Sequence, residues 1–219
     1  MPDPTTLGLF ALASLALLVV PGPTVLYIVA RSLEGGPRAG FASAIGAHVG
    51  TLVHVGAATV GLSAVIVSSA TAYSVVKYAG AAYLVFLGIR RLHERRTLDL
   101  SRPAGVPAPS TRTLLLNGAM VNVLNPKTAL FFLAFLPQFV DVGAGHVALQ
   151  ILVLGLVLIV LGLLSDGTYA LLAGSLAQRL RRSRRVLAGE RYVSAAVFLG
   201  LGVAAALSGD KAPAAAPAR

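Results

Sequence analysis

Val123-Leu124-Asn125-Pro126-Lys127-Thr128-Ala129-Leu130-Phe131 sits inside an apolar run from Thr113 to Val140. A second stretch, Val19-Val20-Pro21-Gly22-Pro23-Thr24-Val25-Leu26-Tyr27, interrupts the apolar run from Leu7 to Ala30, and the two align at an offset of 104 residues. Proline removes a backbone N–H and clashes with the carbonyl four residues back, so each run reads as a helix broken near its middle. The carbonyls that lose their helical partners are those of Leu17 and Val19 in the first run and Asn122 in the second. In hydrocarbon an unpaired carbonyl is tolerated only where it lines a cavity or meets another polar group.

The composition outside these breaks is that of a membrane protein. The 219 residues are 56% hydrophobic and 12% charged, with no cysteine, and the mean hydropathy is +0.81. A soluble domain carries roughly 25% charged residues. Uncharged stretches place six helices of about 20 residues each. The first is Leu7–Ala30. A long tract from Ala39 to Val76 holds the second, a polar turn near Ser68-Ser69 and the start of the third, which ends near Ile89. The fourth runs Thr113–Val140, the fifth from about Val147 to Ala177, and the sixth Tyr192–Ser208. The expectation is an all-α bundle forming one transporter domain over residues 1–208. A basic cytoplasmic loop spans 91–112, and a disordered tail rich in Ala and Pro spans 209–219.

The net charge of +10 would point to nucleic acid in a soluble protein. Here it reports orientation. Connections one–two, three–four and five–six hold two, six and six arginines, whereas the opposite side has Lys77 and, in the tail, Lys211 and Arg219. Basic loops stay cytoplasmic, which puts both termini outside. Further matches between Tyr78-Ala79-Gly80-Ala81-Ala82 and Tyr192-Val193-Ser194-Ala195-Ala196 extend the repeat to halves of about 5–92 and 113–208. With three helices per half, the second copy enters the membrane from the opposite side. Paired interrupted helices in inverted halves point to a transporter's binding site; packing kinks are the plainer reading.

Candidate chemistry follows from polar residues at depth. Lys127 lies about 13 residues into its span, roughly 20 Å deep at 1.5 Å per residue. An ammonium there is costly unless it faces a polar interior. Asn117, Asn122 and Asn125 lie on the same segment. Asp166 is the only carboxylate inside an expected span; it could pair with Lys127, receive a substrate amine or move a proton. His48 and His54 are six residues apart on different faces of one helix, which disfavours a shared metal site and leaves interior hydrogen bonding or, for His48, proton handling. Gly46 and Gly50 form a close-packing pair. An amino acid zwitterion fits these groups. Asn125 and Lys127 would meet its carboxylate, while Asn122 and the carbonyls freed around Pro21, Gly22 and Pro23 would meet its amine. Asp166 or His48 would exchange a coupling proton. No metalloprotease, nucleophile-elbow or phosphate-loop pattern is present, so an enzyme is not expected, nor is any cofactor, metal or nucleic-acid partner. The partners expected are the amino acid and the lipid bilayer, with a homo-oligomer left open. A passive channel and a membrane scaffold remain the rival readings.

At these motifs the chain resembles the LysE/RhtB family of bacterial amino acid exporters. The likeness rests on Pro21-Gly22-Pro23, Arg31-Ser32-Leu33 followed by Gly36, and Arg38-Ala39-Gly40. It extends through Lys77-Tyr78-Ala79-Gly80-Ala81-Ala82-Tyr83-Leu84 with Leu87-Gly88, and Asn117-Gly118 through Asn122. Its most specific part is Asn125-Pro126-Lys127 followed by Leu130-Phe131-Phe132-Leu133-Ala134-Phe135-Leu136-Pro137-Gln138-Phe139. It covers residues 5 to 208. The resemblance implies export of an amino acid such as lysine, arginine, threonine, homoserine or leucine across the bacterial inner membrane, driven by the proton motive force. Many relatives carry Asn or Asp after the Gly-Pro of the first span, where this chain has Thr24, so a polar ligand at that point is less expected.

Overall fold

A computed structural model describes residues 2–64, 70–93 and 109–180, together with isolated helical positions between 192 and 207. The expected loop around Arg95 to Arg102, the basic segment 181–191 and the tail 209–219 lie outside the described residues. So do the turn at Ser68-Ser69 and parts of the sixth span. Every described element is helical. They are α1 (Pro4–Val19), α2 (Pro23–Ala57) continuing into a π turn over Ala58–Leu62, α3 (Ala70–His93), α4 (Thr111–Val123), α5 (Pro126–Leu130) and α6 (Val147–Leu180). Between α5 and α6 the chain passes through a π segment, Phe131–Phe135, and a 3-10 turn, Leu136–Phe139.

Both expected breaks are present, and they are built alike. α1 ends at Val19, Val20 and Gly22 are extended, and Pro23 opens α2 at a position where its missing N–H costs nothing. α4 ends at Val123, Asn125 is extended, and Pro126 opens α5 in the same way. Asn125 caps the new helix, its Oδ1 accepting the Lys127 N–H at 3.0 Å. The opening prolines correspond at an offset of 103, one less than the sequence alignment, because the two links turn into their second helices one residue out of step.

The connection expected between Arg31 and Arg38 is a hairpin inside α2. Gly36 has φ 77° and ψ 179°, a left-handed conformation that suits glycine, and Pro37 follows it. The two arms, 23–35 and 37–57, fold back on each other. Gly40 faces the Ser32 side chain so closely that an added Cβ would lie 2.7 Å from Ser32 Cβ. Ile28 packs with Ala44 and Ala47, residues that a straight helix would hold roughly 24 Å or more away.

By length and apolarity Val147–Ala173 can cross a bilayer, as can Pro23–Leu62, which the Gly36 hairpin divides into two arms, and the pair Thr111–Val123 with Pro126–Phe139, bent by 49°, makes a third candidate. α1 is a shorter apolar helix of 16 residues. Small residues bring the elements together. Cβ atoms added to Gly46 and Gly118 would run into the backbone of α4 and of α2 respectively, so the second arm of α2 and α4 pack backbone to backbone. A separate core of Phe10, Phe131, Phe132 and Phe135, with Phe139 at its edge, joins α1 to the irregular segment after α5.

Gly118→Val places two methyl groups against the Ser43 carbonyl. We expect destabilisation of about 1–3 kcal/mol, read as a lower thermal midpoint in detergent, whereas Gly8→Ala, inside α1 and meeting no neighbour, should hold or slightly raise the midpoint.

Candidate functional site

The break between α1 and α2 frees three carbonyls, and side chains from the later part of the chain donate to each: those of Leu17 and Val20 are met in the interior, that of Val19 at the exposed side. Lys127 Nζ donates to the Leu17 carbonyl at 2.8 Å and to the Val20 carbonyl at 2.5 Å. Tyr169 Oη donates to the Val19 carbonyl at 2.6 Å. The break between α4 and α5 receives the converse. The Asn122 carbonyl, orphaned by Pro126, accepts the Asn125 N–H at 3.0 Å and lies 3.1 Å from His54 Nε2. Because a carbonyl only accepts, His54 carries its proton on Nε2. Its ring stacks on Phe132 at a centroid distance of 5.9 Å.

Lys127 is buried, with 8% of its surface exposed. Its chain lies across Gly22, where an added Cβ would stand 3.0 Å from Lys127 Cδ. The carbonyls of the first break therefore hold the protein's own ammonium, in the place that the sequence reading offered to a substrate amine. The reason is reach: a lysine two residues beyond the second break spans the gap to the first.

From the second break a polar chain crosses the protein. Asn125 Nδ2 donates to Thr24 Oγ1 at 2.9 Å, and Thr24 donates to Asn122 Oδ1 at 3.1 Å. Asn122 Nδ2 donates to Thr51 Oγ1 at 2.7 Å and to the Ala47 carbonyl at 2.9 Å. Thr51 Oγ1 lies 3.4 Å from His48 Nδ1, and His48 Nε2 lies 3.0 Å from Asp166 Oδ2. With Asp166 ionised, His48 donates from Nε2 and presents Nδ1 as an acceptor, so every bond in the chain can point the same way, toward the carboxylate. Thr128 Oγ1 adds a second donor to Asn122 Oδ1 at 2.9 Å, which fills both acceptor positions of that amide. Asn122 thus organises the site and has no acceptor left for an amine.

Asp166 pairs with His48 and not with Lys127. The two partners are both buried. An added Cβ at Gly162 would collide with the His48 ring, so that glycine makes the room in which the imidazole reaches Asp166. Asn117, which shares the segment, is exposed and apart from the site.

These groups surround a cavity of about 60 Å³, room for a few waters. Gly22, Lys127 and Asn125 border it on one side, His48 and Asp166 on another, and Leu18, Val25, Phe131 and Leu158 supply apolar wall. Opposite charges thus face one enclosed space. Among the described residues no group of three or more His, Cys, Asp or Glu is placed to hold a metal ion. Thr24, Thr51, Thr128 and Tyr169 escaped the sequence reading. Their signal, a hydroxyl in an apolar span, is weak because threonine in a membrane helix ordinarily bonds its own backbone, as Thr59 does here.

A model of the LysE type translocator matches residues 15–209. An uncharacterized membrane protein of Pseudomonas aeruginosa is 30% identical over 202 residues, covering 89% of this chain and 91% of its own length. One from Vibrio cholerae is 28% identical over 194 residues, covering 89% and 93%. A leucine efflux protein of an Enterobacter species is 27% identical over 179 residues, covering 82% and 84%. No solved structure matches the chain. Translocators move solutes and are not enzymes, and the relatives are membrane proteins, in keeping with the apolar helices. The cavity beside the two broken helices is accordingly the interior of a membrane protein that belongs to the LysE-type translocator family.

Proposed function

We propose that this protein exports a small amino acid from the cytoplasm across the bacterial plasma membrane in exchange for protons. The observation that carries the reading is the cavity with Lys127 on one wall and the His48–Asp166 pair on another. A zwitterion complements that arrangement. Its carboxylate approaches Lys127 and Asn125, and its ammonium approaches Asp166. Leu18, Val25, Phe131 and Leu158 suit a short apolar side chain better than a charged one. The leucine efflux relative from Enterobacter points the same way.

The exchange logic follows from competition for one carboxylate. An ammonium and a proton both neutralise Asp166, and only one can hold it at a time. A proton entering from outside by way of His48 releases the substrate amine outward, and loss of that proton inward restores the site. Exchange requires the cavity to open toward one side and then the other. Two inverted three-helix halves, spanning about 5–92 and 113–208 with both termini outside, supply the rocking bodies. In this scheme α1 with the first arm of α2 is span one, the second arm is span two, and the bent α4–α5 pair is span four.

The test is efflux from cells preloaded with a dipeptide panel, with and without a protonophore. Intact protein should raise external amino acid, and the protonophore should stop it. Lys127→Ala should remove export while its membrane level stays normal; export at the intact rate by that variant would sink the assignment.

Two further substitutions probe the coupling pair. Asp166→Asn breaks a buried charge pair, a change on the order of 3–5 kcal/mol. It should end uphill export more than about a hundredfold. Gly162→Ala should displace the His48 ring and match His48→Ala in both rate and pH profile. A Gly162→Ala protein with the intact pH profile would show that His48 has no part in coupling.

A further inference from the structure

The Gly36 hairpin encloses a second cavity, separate from the central one and larger, at about 380 Å³. Arg31 and Glu34 come from the arm before the turn and Arg38 from the arm after it. Thr111 and Leu114 at the start of α4 close the far side. The glycine is what folds the arms face to face, so Arg38 joins the Arg31–Glu34 pair because φ at Gly36 is positive.

The charges are arranged for a ligand that carries both signs. Arg31 Nη2 pairs with Glu34 Oε1 at 3.0 Å, and the guanidinium stands 5.6 Å from the centre of the Tyr27 ring. Among the described residues its buried Nε–H has no acceptor, which is costly for a guanidinium and unusual in a folded protein. Arg38 is exposed and makes no ion pair among the described residues. Two guanidiniums and one carboxylate therefore line an open space with unspent donors. A carboxylate binds a guanidinium through two parallel bonds, and after a small rotation Arg31 can offer Nε with Nη. Glu34 is then free to take an ammonium.

The position also fits. Arg31 lies seven residues beyond Thr24, two helical turns or about 10 Å from the central cavity. Tyr27 stands between them, its hydroxyl donating to the Leu114 carbonyl at 3.3 Å. Arg31 and Arg38 belong to the connection that the charge distribution assigns to the cytoplasm.

We propose that the crook of the α2 hairpin is a loading site that takes the carboxylate and ammonium of a free amino acid on the cytoplasmic side, before it passes Tyr27 to the central cavity. The inference rests on the export reading and adds a second binding site to it. Arg31 and Arg38 hold the carboxylate, Glu34 the ammonium, and Tyr27 positions Arg31.

The experiment uses everted membrane vesicles, in which export appears as proton-driven uptake, with a panel of the common labelled amino acids beginning with L-leucine. Arg31→Gln and Glu34→Gln should each raise the half-saturating concentration about tenfold, the size of one charge-assisted hydrogen bond, with the maximal rate kept. The exchanged pair Arg31→Glu with Glu34→Arg retains an ion pair one turn apart. It should stay weak if the charges meet a ligand and recover if they only brace the helix. Unchanged half-saturation in the single variants, or full recovery in the exchanged pair, overturns the loading site while leaving export intact. Vesicles in which the intact protein moves no amino acid overturn the export reading, and the loading site with it.

Discussion

A proline in a helix surrounded by hydrocarbon creates a debt of hydrogen bonds, because the carbonyls it orphans have no water to turn to. Here the first break frees the carbonyls of Leu17, Val19 and Val20 and the second frees that of Asn122. Local N–H groups of Val20 and Asn125 reach the Leu17 and Asn122 carbonyls, and distant side chains complete the set. Lys127 and Tyr169 serve the first break, and His54 serves the second. Each break thus draws on the other half of the chain. An ammonium at this depth would be untenable alone, and the carbonyls would be untenable without it. That mutual dependence places both breaks against one cavity.

The same constraint shapes the packing around the site. For His54 and Asn122 to reach their partners, α2 and α4 must approach more closely than ordinary side chains permit. Gly46, Gly50 and Gly118 allow the backbones to touch. Gly162 has a comparable task on α6, where it leaves space for the imidazole that meets Asp166. Glycine is thus spent where a polar contact has to be brought within bonding distance, and the exposed apolar residues, among them Leu12, Val60 and Leu164, face outward where lipid would lie.

In the exchange proposed above, binding and movement would be linked through the caps. A motion that opens the cavity would pull Lys127 and Tyr169 relative to the α1–α2 break, and His54 relative to the α4–α5 break. Those bonds would have to break or exchange partners, and a substrate carboxylate beside Lys127 would offer a replacement for the carbonyls at that moment.

Much of this was legible without coordinates. Proline chemistry located both breaks, and the depth of Lys127 and Asp166 in apolar runs marked them as groups that need a partner. Arg31 and Arg38 marked the first connection, and only the structure placed its turn at Gly36 and Pro37. Which partner each charge takes was decided only in three dimensions. Periodicity along one helix cannot say that Lys127 reaches back to Leu17 and Val20, or that Asp166 meets His48, since these contacts join residues more than 100 positions apart. Thr24 looked like a loss of polarity when compared with Asn or Asp. Its single hydroxyl both accepts from Asn125 and donates to Asn122, a double role visible only once two helices converge on it. Sequence determined which groups could not remain unpaired in a membrane; tertiary structure alone determined with whom they paired.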